Sequence, residues 1–368
     1  MDSTNKYLHA IALKSIYKIG DQLARNLISY FENAESVFKA SRTQLLKVQG
    51  MGENTADAIL HFKDFDPIYQ ELEQYKKQNI EILLYSDETY PYRLRECSDA
   101  PLFLLKKGNA DLNNLKTVAV VGTRNASPYG KEFCYKLAEA LHECGALVIS
   151  GLANGIDTHA HKAALKHQLP TVAVLAHGFK HLSPPGNKDL SEEICAQNGA
   201  LITEHRAQVP PAPEQFPKRN RIVAGMCDAL VIVESGVKGG AMITAEIAWS
   251  YNRELFALPG KISDYYSLGC NRLINNQRAL CIESPQTLIE YLGWKSHNPS
   301  SGSLEFNIQN LNPYQQNIFK LLRSGEKHID TLHFESGIPL AELSHHLLEM
   351  EFSNIVRSLP GKIYKLAL

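Results

Sequence analysis

Residues 216–225, FPKRNRIVAG, place Lys218, Arg219 and Arg221 within four positions of a chain whose formal net charge is only −1. Three clustered cations need an anion or open water. Guanidinium groups bind phosphate bidentately and an ammonium adds a point charge, so the chemistry on offer is phosphate recognition, with Asn220 at the centre of the run. A second cationic corner, VVGTRNASPYG, sets Gly122, Thr123 and Arg124 at the end of a β-branched run, then Ser127-Pro128, an N-cap with a first-turn proline. Glycine permits close approach, and hydroxyl and amide groups donate. A plain strand-to-helix turn has no use for Arg124. A third corner, ISGLANGIDTHAHKAAL, supplies Ser150, Gly151 and Gly155 before a helix capped by Asp157. The segments SPPGNKDL and VKGGAMITAEIA add Asn187 in a rigid loop, then Gly239 and Gly240 ahead of Thr244.

The elements that must position these groups alternate. TVAVVGTR, ALVISG, TVAVLAHG, GALITEH, DALVIVES and ELFALPG are apolar runs separated by amphipathic helices such as 130–144, 157–168 and 241–252. This pattern predicts an α/β domain over 80–294, an extended Rossmann-like, doubly wound, mainly parallel sheet with ligands at the C-terminal strand ends. The cationic run is expected to lead from a proline-marked loop into the strand DALVIVES. No G-x-G-x-x-G follows the first strand, and no P-loop is present, so neither a dinucleotide nor any other cofactor is expected. His159 and His161, two apart on a helix, point about 200° away from each other and do not share a metal ion. Asp157, Glu204, Glu234 and Glu246 are the nearest catalytic candidates, and none has a spaced partner.

Flanking modules are expected on both sides. Residues 1–75 carry helical periodicity, and LLKVQGMGENTADAILHF reads as a helix-hairpin-helix unit with Gly50 and Gly52 in its loop. IYKIGDQLARNLISYF is a weaker first copy around Gly20. Such a tandem contacts the backbone of duplex DNA without reading its sequence. Residues 295–311 read as a polar linker and 312–368 as a winged helix. Its DNA-reading helix offers Glu342, Glu349 and Glu351 and no Lys or Arg, which points to protein rather than DNA. Seven cysteines without a C-x-x-C pair fit a reducing compartment. With no signal-peptide layout and no long apolar run, a cytoplasmic protein without a membrane partner is expected.

Taken together, VGTRNASPYG, SGLANGIDTHAHKAAL, FPKRNRIVAG, GGAMITAEIA and LPGKISDYYSLGCNRLI, in that order over about 82–290, resemble the DNA-processing protein A family, DprA or Smf. The resemblance implies a non-enzymatic mediator that binds single-stranded DNA cooperatively and loads the RecA recombinase onto it during natural transformation. It also implies a homodimer built through the central domain. Carried onto this sequence, the implied phosphate-binding groups are Gly122, Thr123, Arg124, Ser127, Ser150, Gly151, Gly155, Ile156, Asn187, Arg219, Asn220 and Arg221. The chain departs from the family pattern at Ser183-Pro184, where the family has Tyr-Pro, and at 238–241, where the family has Ser-Gly-Ser. Phe216 supplies either a π-face for a base or a buried anchor. The alternative is a nucleotide-processing phosphoribohydrolase of the lonely-guy type. Its P-G-G-x-G-T-x-x-E run is only partly met, since VKGGAMITAEIA keeps two glycines, Thr244 and Glu246 but lacks the proline and third glycine.

Overall fold

A computed structural model of the chain describes residues 3–294, 311–323, 325–353, 355–359 and 362–366. The expected linker 295–311 lies outside the described residues save for Leu311. Two compact units result, residues 1–297 and 298–368.

The first unit begins with six helices, α1 Ser3–Ser15, α2 Asp21–Phe31, α3 Ala34–Lys39, α4 Arg42–Leu45, α5 Glu53–Leu60 and α6 Phe65–Lys77. The two expected hairpins are present as the α1–α2 and α4–α5 turns. Gly20 and Gly52 are the N-cap residues of α2 and α5, neither offering a side-chain cap, and Gly50 takes a φ of +88° that favours glycine. The strands β1 Ile80–Leu84 and β2 Phe103–Gly108, with α7 Tyr92–Arg95 between them, extend the sheet beyond the six runs named above. Ile80, Ile82, Leu84, Phe103 and Leu105 share one core with Leu13, Leu27, Leu45 and Ile59 of the hairpin helices. The helical module is thereby fused to the sheet edge.

The six expected strands are β3 Thr117–Val121, β4 Leu147–Ser150, β5 Thr171–Val174, β6 Ala200–Thr203, β7 Ala229–Ile232 and β8 Glu254–Ala257, with a short β9 Leu280–Cys281. Sheet order is β1-β2-β6-β5-β4-β3-β7-β8-β9, parallel except for β1–β2 and β2–β6. All five residues of β3 are buried, as a central parallel strand requires. Val118 and Val120 face the core beneath α8 Pro128–Cys144 and α9 Ile156–Lys166, whereas Ala119 and Val121 face the opposite core. There they meet α11 Gln215–Gly225 and α12 Gly240–Ser250. Helix α10 Lys188–Ala196 packs beside β5 and β6, while α13 Leu268–Asn275 and α14 Pro285–Tyr291 close the far edge. The chain leaves β3 for β4 on one side and returns as β7 on the other. The crevice between the carboxyl ends of β3 and β7 is therefore the topological switch point, where such sheets bind ligands.

The second unit holds α15 Pro313–Leu322, α16 Ile329–Ser336 and α17 Leu340–Phe352, with strands β10 Lys327–His328, β11 Val356–Leu359 and β12 Ile363–Leu366 in a sheet of order β10-β12-β11. The order of elements is that of a winged helix. Among the described residues of this unit, α17 carries no lysine or arginine, and Leu348 and Phe352 are exposed on it.

One buried ion pair fixes the lower end of the sheet. Arg93 of α7, 4% exposed, donates to both carboxylate oxygens of Asp228 at 2.6 and 2.7 Å, and the same carboxylate accepts the Thr117 amide at the start of β3. Removing the carboxylate leaves a guanidinium buried against the Asn114 and Leu115 carbonyls alone. Asp228→Ala is expected to cost about 3 kcal/mol of unfolding free energy. Denaturant titration showing a loss under about 1 kcal/mol contradicts this role.

Candidate nucleic-acid interface

A cleft of about 730 Å³ opens at the switch point, lined by the turns that follow β3, β4 and β7, by the start of α11 and by Tyr265 and Tyr266. The cationic run does not enter a strand, as its proline suggested. It forms α11, with Pro217 in the first turn, where its missing N–H leaves no bond unmade. The periodicity is helical once Arg219 is counted with the core face, because Arg219, Ile222 and Val223 are all buried.

On this helix the three cations part company. Arg219 is 5% exposed and forms the cleft floor. Its Nη1 donates to the carbonyls of Gly151 (2.5 Å) and Val174, at the ends of β4 and β5, and its Nε donates to Asn220 Oδ1 at 3.3 Å. A Cβ at Gly151 would overlap the guanidinium where it now lies, so a larger residue would displace Arg219 from its carbonyl partners. Burial and the nearby positive Arg124 lower the pKa of Arg219, and Asp157 opposes them. Arg221, two residues on, turns the other way. It pairs with Glu204 at 2.5 Å and Asp21 at 3.5 Å and donates to the Asp99 carbonyl, joining α11 to the first hairpin helix. Burial pushes the Glu204 carboxyl up while Arg221 pulls it down. Lys218 is exposed, and neither it nor Arg221 lines the cleft. Asn220 lines it and ties α11 to α12 through the Gly240 carbonyl at 3.4 Å.

The strand-end corners divide just as sharply. Gly122, Thr123 and Arg124 line the cleft, and Arg124 is exposed with no ion pair or hydrogen bond among the described residues. Ser127 caps α8, its hydroxyl accepting from Gly130 N at 3.2 Å, but it is already committed to an internal anion. Glu234, just beyond β7, receives the Ser127 amide at 2.9 Å and its hydroxyl at 2.5 Å. A Cβ at Gly130 would stand 2.5 Å from Glu234 Oε2. That carboxylate occupies the helix N-terminus where a Rossmann sheet holds a pyrophosphate. Asp157, in the first turn of α9, instead holds the loop before that helix, accepting the amides of Gly151 at 3.2 Å and Ala153 at 3.3 Å, and burial raises its pKa against the pull of Arg219.

Ser150 is fully buried and donates to the Val120 carbonyl at 2.6 Å. Asn187 is buried and donates to the Leu152 carbonyl and Thr158 Oγ1, both at 2.9 Å. Ile156 packs against Gly122, where a Cβ would come within 2.5 Å of its Cγ1, and Gly155, at φ +82°, abuts the Thr123 and Arg124 backbone. These four shape the corner from behind. Gly50 and Gly52 belong to the second hairpin and are not part of this cleft.

Of the three helices that follow strands at the cleft, only α12 lacks a carboxylate at its start. Its N-cap is Gly239, with no side-chain cap, and Thr244 bonds back to the Gly240 carbonyl at 3.1 Å. The Gly240 and Ala241 amides make no hydrogen bond among the described residues and lie at the cleft beside exposed Lys238, whereas the Met242 amide donates to the Gly239 carbonyl at 3.0 Å. Tyr265 and Tyr266, within the block SDYYSLGCNRLI, escaped the sequence reading. Adjacent aromatics in a turn after a strand were the available signal.

Fold and cleft define a Rossmann-type protein with cationic side chains at its switch-point cleft and with the α8 terminus filled by the Glu234 carboxylate. A model of the family described as DNA recombination-mediator protein A matches residues 81–293, and the chain belongs to this family. A SAM-like helix-hairpin-helix tandem matches residues 10–61 and a DprA winged helix domain residues 305–362. Protein Smf of Escherichia coli is 31% identical over 376 residues, covering 100% of this chain and 96% of that protein. The DNA processing protein DprA of Streptococcus pneumoniae is 35% identical over 266 residues, 67% of this chain and 93% of that protein. Its X-ray structure superposes with a TM-score of 0.66 at 30% identity, covering 77% of this chain and 96% of that one. DprA of Helicobacter pylori, solved to describe its single-stranded DNA binding mode, gives 0.54 at 30% identity over 59% of this chain and 97% of that one.

His161 sits behind the Arg219 floor, fully buried, its Nδ1 2.7 Å from Thr171 Oγ1, and burial holds its pKa down to about 3. A histidine depressed in the fold stabilises fully above its unfolded pKa of about 6.5, and that contribution is lost as pH falls toward 3. Between pH 6 and 4 the wild-type chain should lose up to about 1.4 kcal/mol per pH unit more than His161→Gln. Parallel slopes in denaturant titrations of the two proteins contradict the assignment.

Proposed function

We propose that the chain is a non-enzymatic single-stranded DNA-binding recombination mediator of the cytoplasm, holding the strand by its phosphates in the switch-point cleft. The observation that carries this reading is the charge arrangement there. Arg124 and Lys238 stand exposed without partners among the described residues, Arg219 lies in the floor, and the uncapped α12 N-terminus adds amide donors. Asp157 and Glu234 are spent on internal amides. A positive groove with aromatic walls suits single strands irrespective of sequence. Phe216, half-buried, lines the same cleft.

The family resemblance extends this reading to RecA loading on incoming DNA in natural transformation and to a homodimer joined through the sheet domain. The hairpin loops at Gly20 and at Gly50 to Gly52 are assigned to duplex backbone. The phosphoribohydrolase alternative finds less support. Glu246, which would have to act as catalyst, points to solvent, pairs with Arg278 at 2.5 Å and lies outside the cleft lining.

Arg124 and Arg221 give opposite expectations. Titrating single-stranded and duplex oligonucleotides at several salt concentrations, Arg124→Ala should weaken single-strand binding and flatten the plot of log affinity against log salt by about 0.7. Arg221→Ala should leave the slope at its wild-type value. A wild-type slope for Arg124→Ala, or nucleotide hydrolysis in the same samples, overturns the proposal.

A further inference from the structure

Resting on the DNA-binding reading above, we propose that Tyr265 is a nucleobase-stacking platform. In this arrangement a nucleotide held by its phosphate at the Arg124 corner lays its base on the outer face of the Tyr265 ring. The ring lines the cleft and is 61% exposed. The ring passes close to Gly236, just beyond β7. A Cβ there would stand 2.7 Å from Tyr265 Cε1, so glycine at this position gives the ring room to lie where it does.

The ring is also held at its edge. Tyr266 packs against it in a T-shaped pair, with centroids 5.2 Å apart and planes at 82°. Tyr266 is itself fixed from two sides. Its hydroxyl accepts from Asn125 Nδ2 at 2.7 Å, and its carbonyl accepts the Ser235 amide at 2.6 Å. Asn125 adjoins Arg124, so the group that orients the aromatic pair belongs to the corner that offers the unpaired guanidinium. The Asn125–Tyr266 hydrogen bond thereby ties the phosphate corner after β3 to the aromatic turn after β8. The Tyr265 hydroxyl makes no hydrogen bond among the described residues, which leaves the π-face as the feature that this position supplies. A side chain with two torsions, already positioned, loses little entropy when a base covers it. Stacking suits a binder indifferent to sequence, because every base has a π-face.

The test compares a dT oligonucleotide with an abasic strand of the same length and phosphate count, titrated against the full chain and its Tyr265→Phe and Tyr265→Leu variants. Tyr265→Leu is expected to lose roughly tenfold in affinity for dT, within the range measured for stacked bases. Tyr265→Phe should stay within about twofold of wild type, and all three proteins should bind the abasic strand alike, with the salt slope unchanged. Full dT affinity in Tyr265→Leu, an equal loss on both strands, or a loss in Tyr265→Phe as large as in Tyr265→Leu overturns the stacking role. A wild-type chain that binds neither strand overturns the underlying DNA-binding reading instead, a result separate from any difference among the variants.

Discussion

A cation buried at the C-terminal edge of a parallel sheet organises this molecule. The Arg219 guanidinium has left water for the carbonyls of Gly151 and Val174, with Asp157 close enough to offset part of its desolvation. Burial of a charge on this scale is tolerable only where hydrogen bonds and an opposing charge meet it. Those demands fix the surroundings. Glycine at 151 leaves the guanidinium its place, Asp157 turns inward onto the Gly151 and Ala153 amides, and α11 lies across the ends of β4 and β5. The cleft inherits a positive floor that solvent cannot screen as it does a surface lysine.

Internal carboxylates then decide where an external anion can go. Glu234 fills the start of α8, and Asp157, in the first turn of α9, holds the loop before it, so both corners already carry a carboxylate of the chain itself. The vacancy passes to α12, whose start is glycine and whose neighbours are Lys238 and Arg124. In the proposed function, a sheet of dinucleotide-binding topology is thereby turned toward an extended polyanion. Arg221, on the far side of α11, ties the same helix to Asp21 of the hairpin module, and the module shares a core with β1 and β2. Cleft and hairpins are thus carried on one continuous body.

Much of this was legible in the sequence because burial is periodic. The runs TVAVV, LVIS and ALVI are wholly buried and read as strands without ambiguity. The glycine loops of the hairpins and the order of the winged helix were equally plain. Legibility failed where a residue's role depends on a distant partner. Arg219 and Arg221 look equivalent in FPKRNR, yet 100° per residue sends one to the floor and the other to Glu204 and Asp21. Ser127 looked free to donate until Glu234, 107 residues away, proved to hold it. Ser150 and Asn187 commit side-chain donors to the Val120 and Leu152 carbonyls, partners that the sequence does not show. The strands β1 and β2 were missed because an edge hairpin packed on a helical module has no βα alternation to announce it.

Amide hydrogen exchange with and without a saturating dT oligonucleotide tests the central claim most directly, because it reports on every turn of the cleft at once. Protection is expected in the segments 122–125, 236–242 and 263–267, with little change in the 147–150 strand behind them. Protection confined to the hairpins or the winged helix, with those three segments exchanging as in the free chain, would contradict a switch-point cleft as the DNA site.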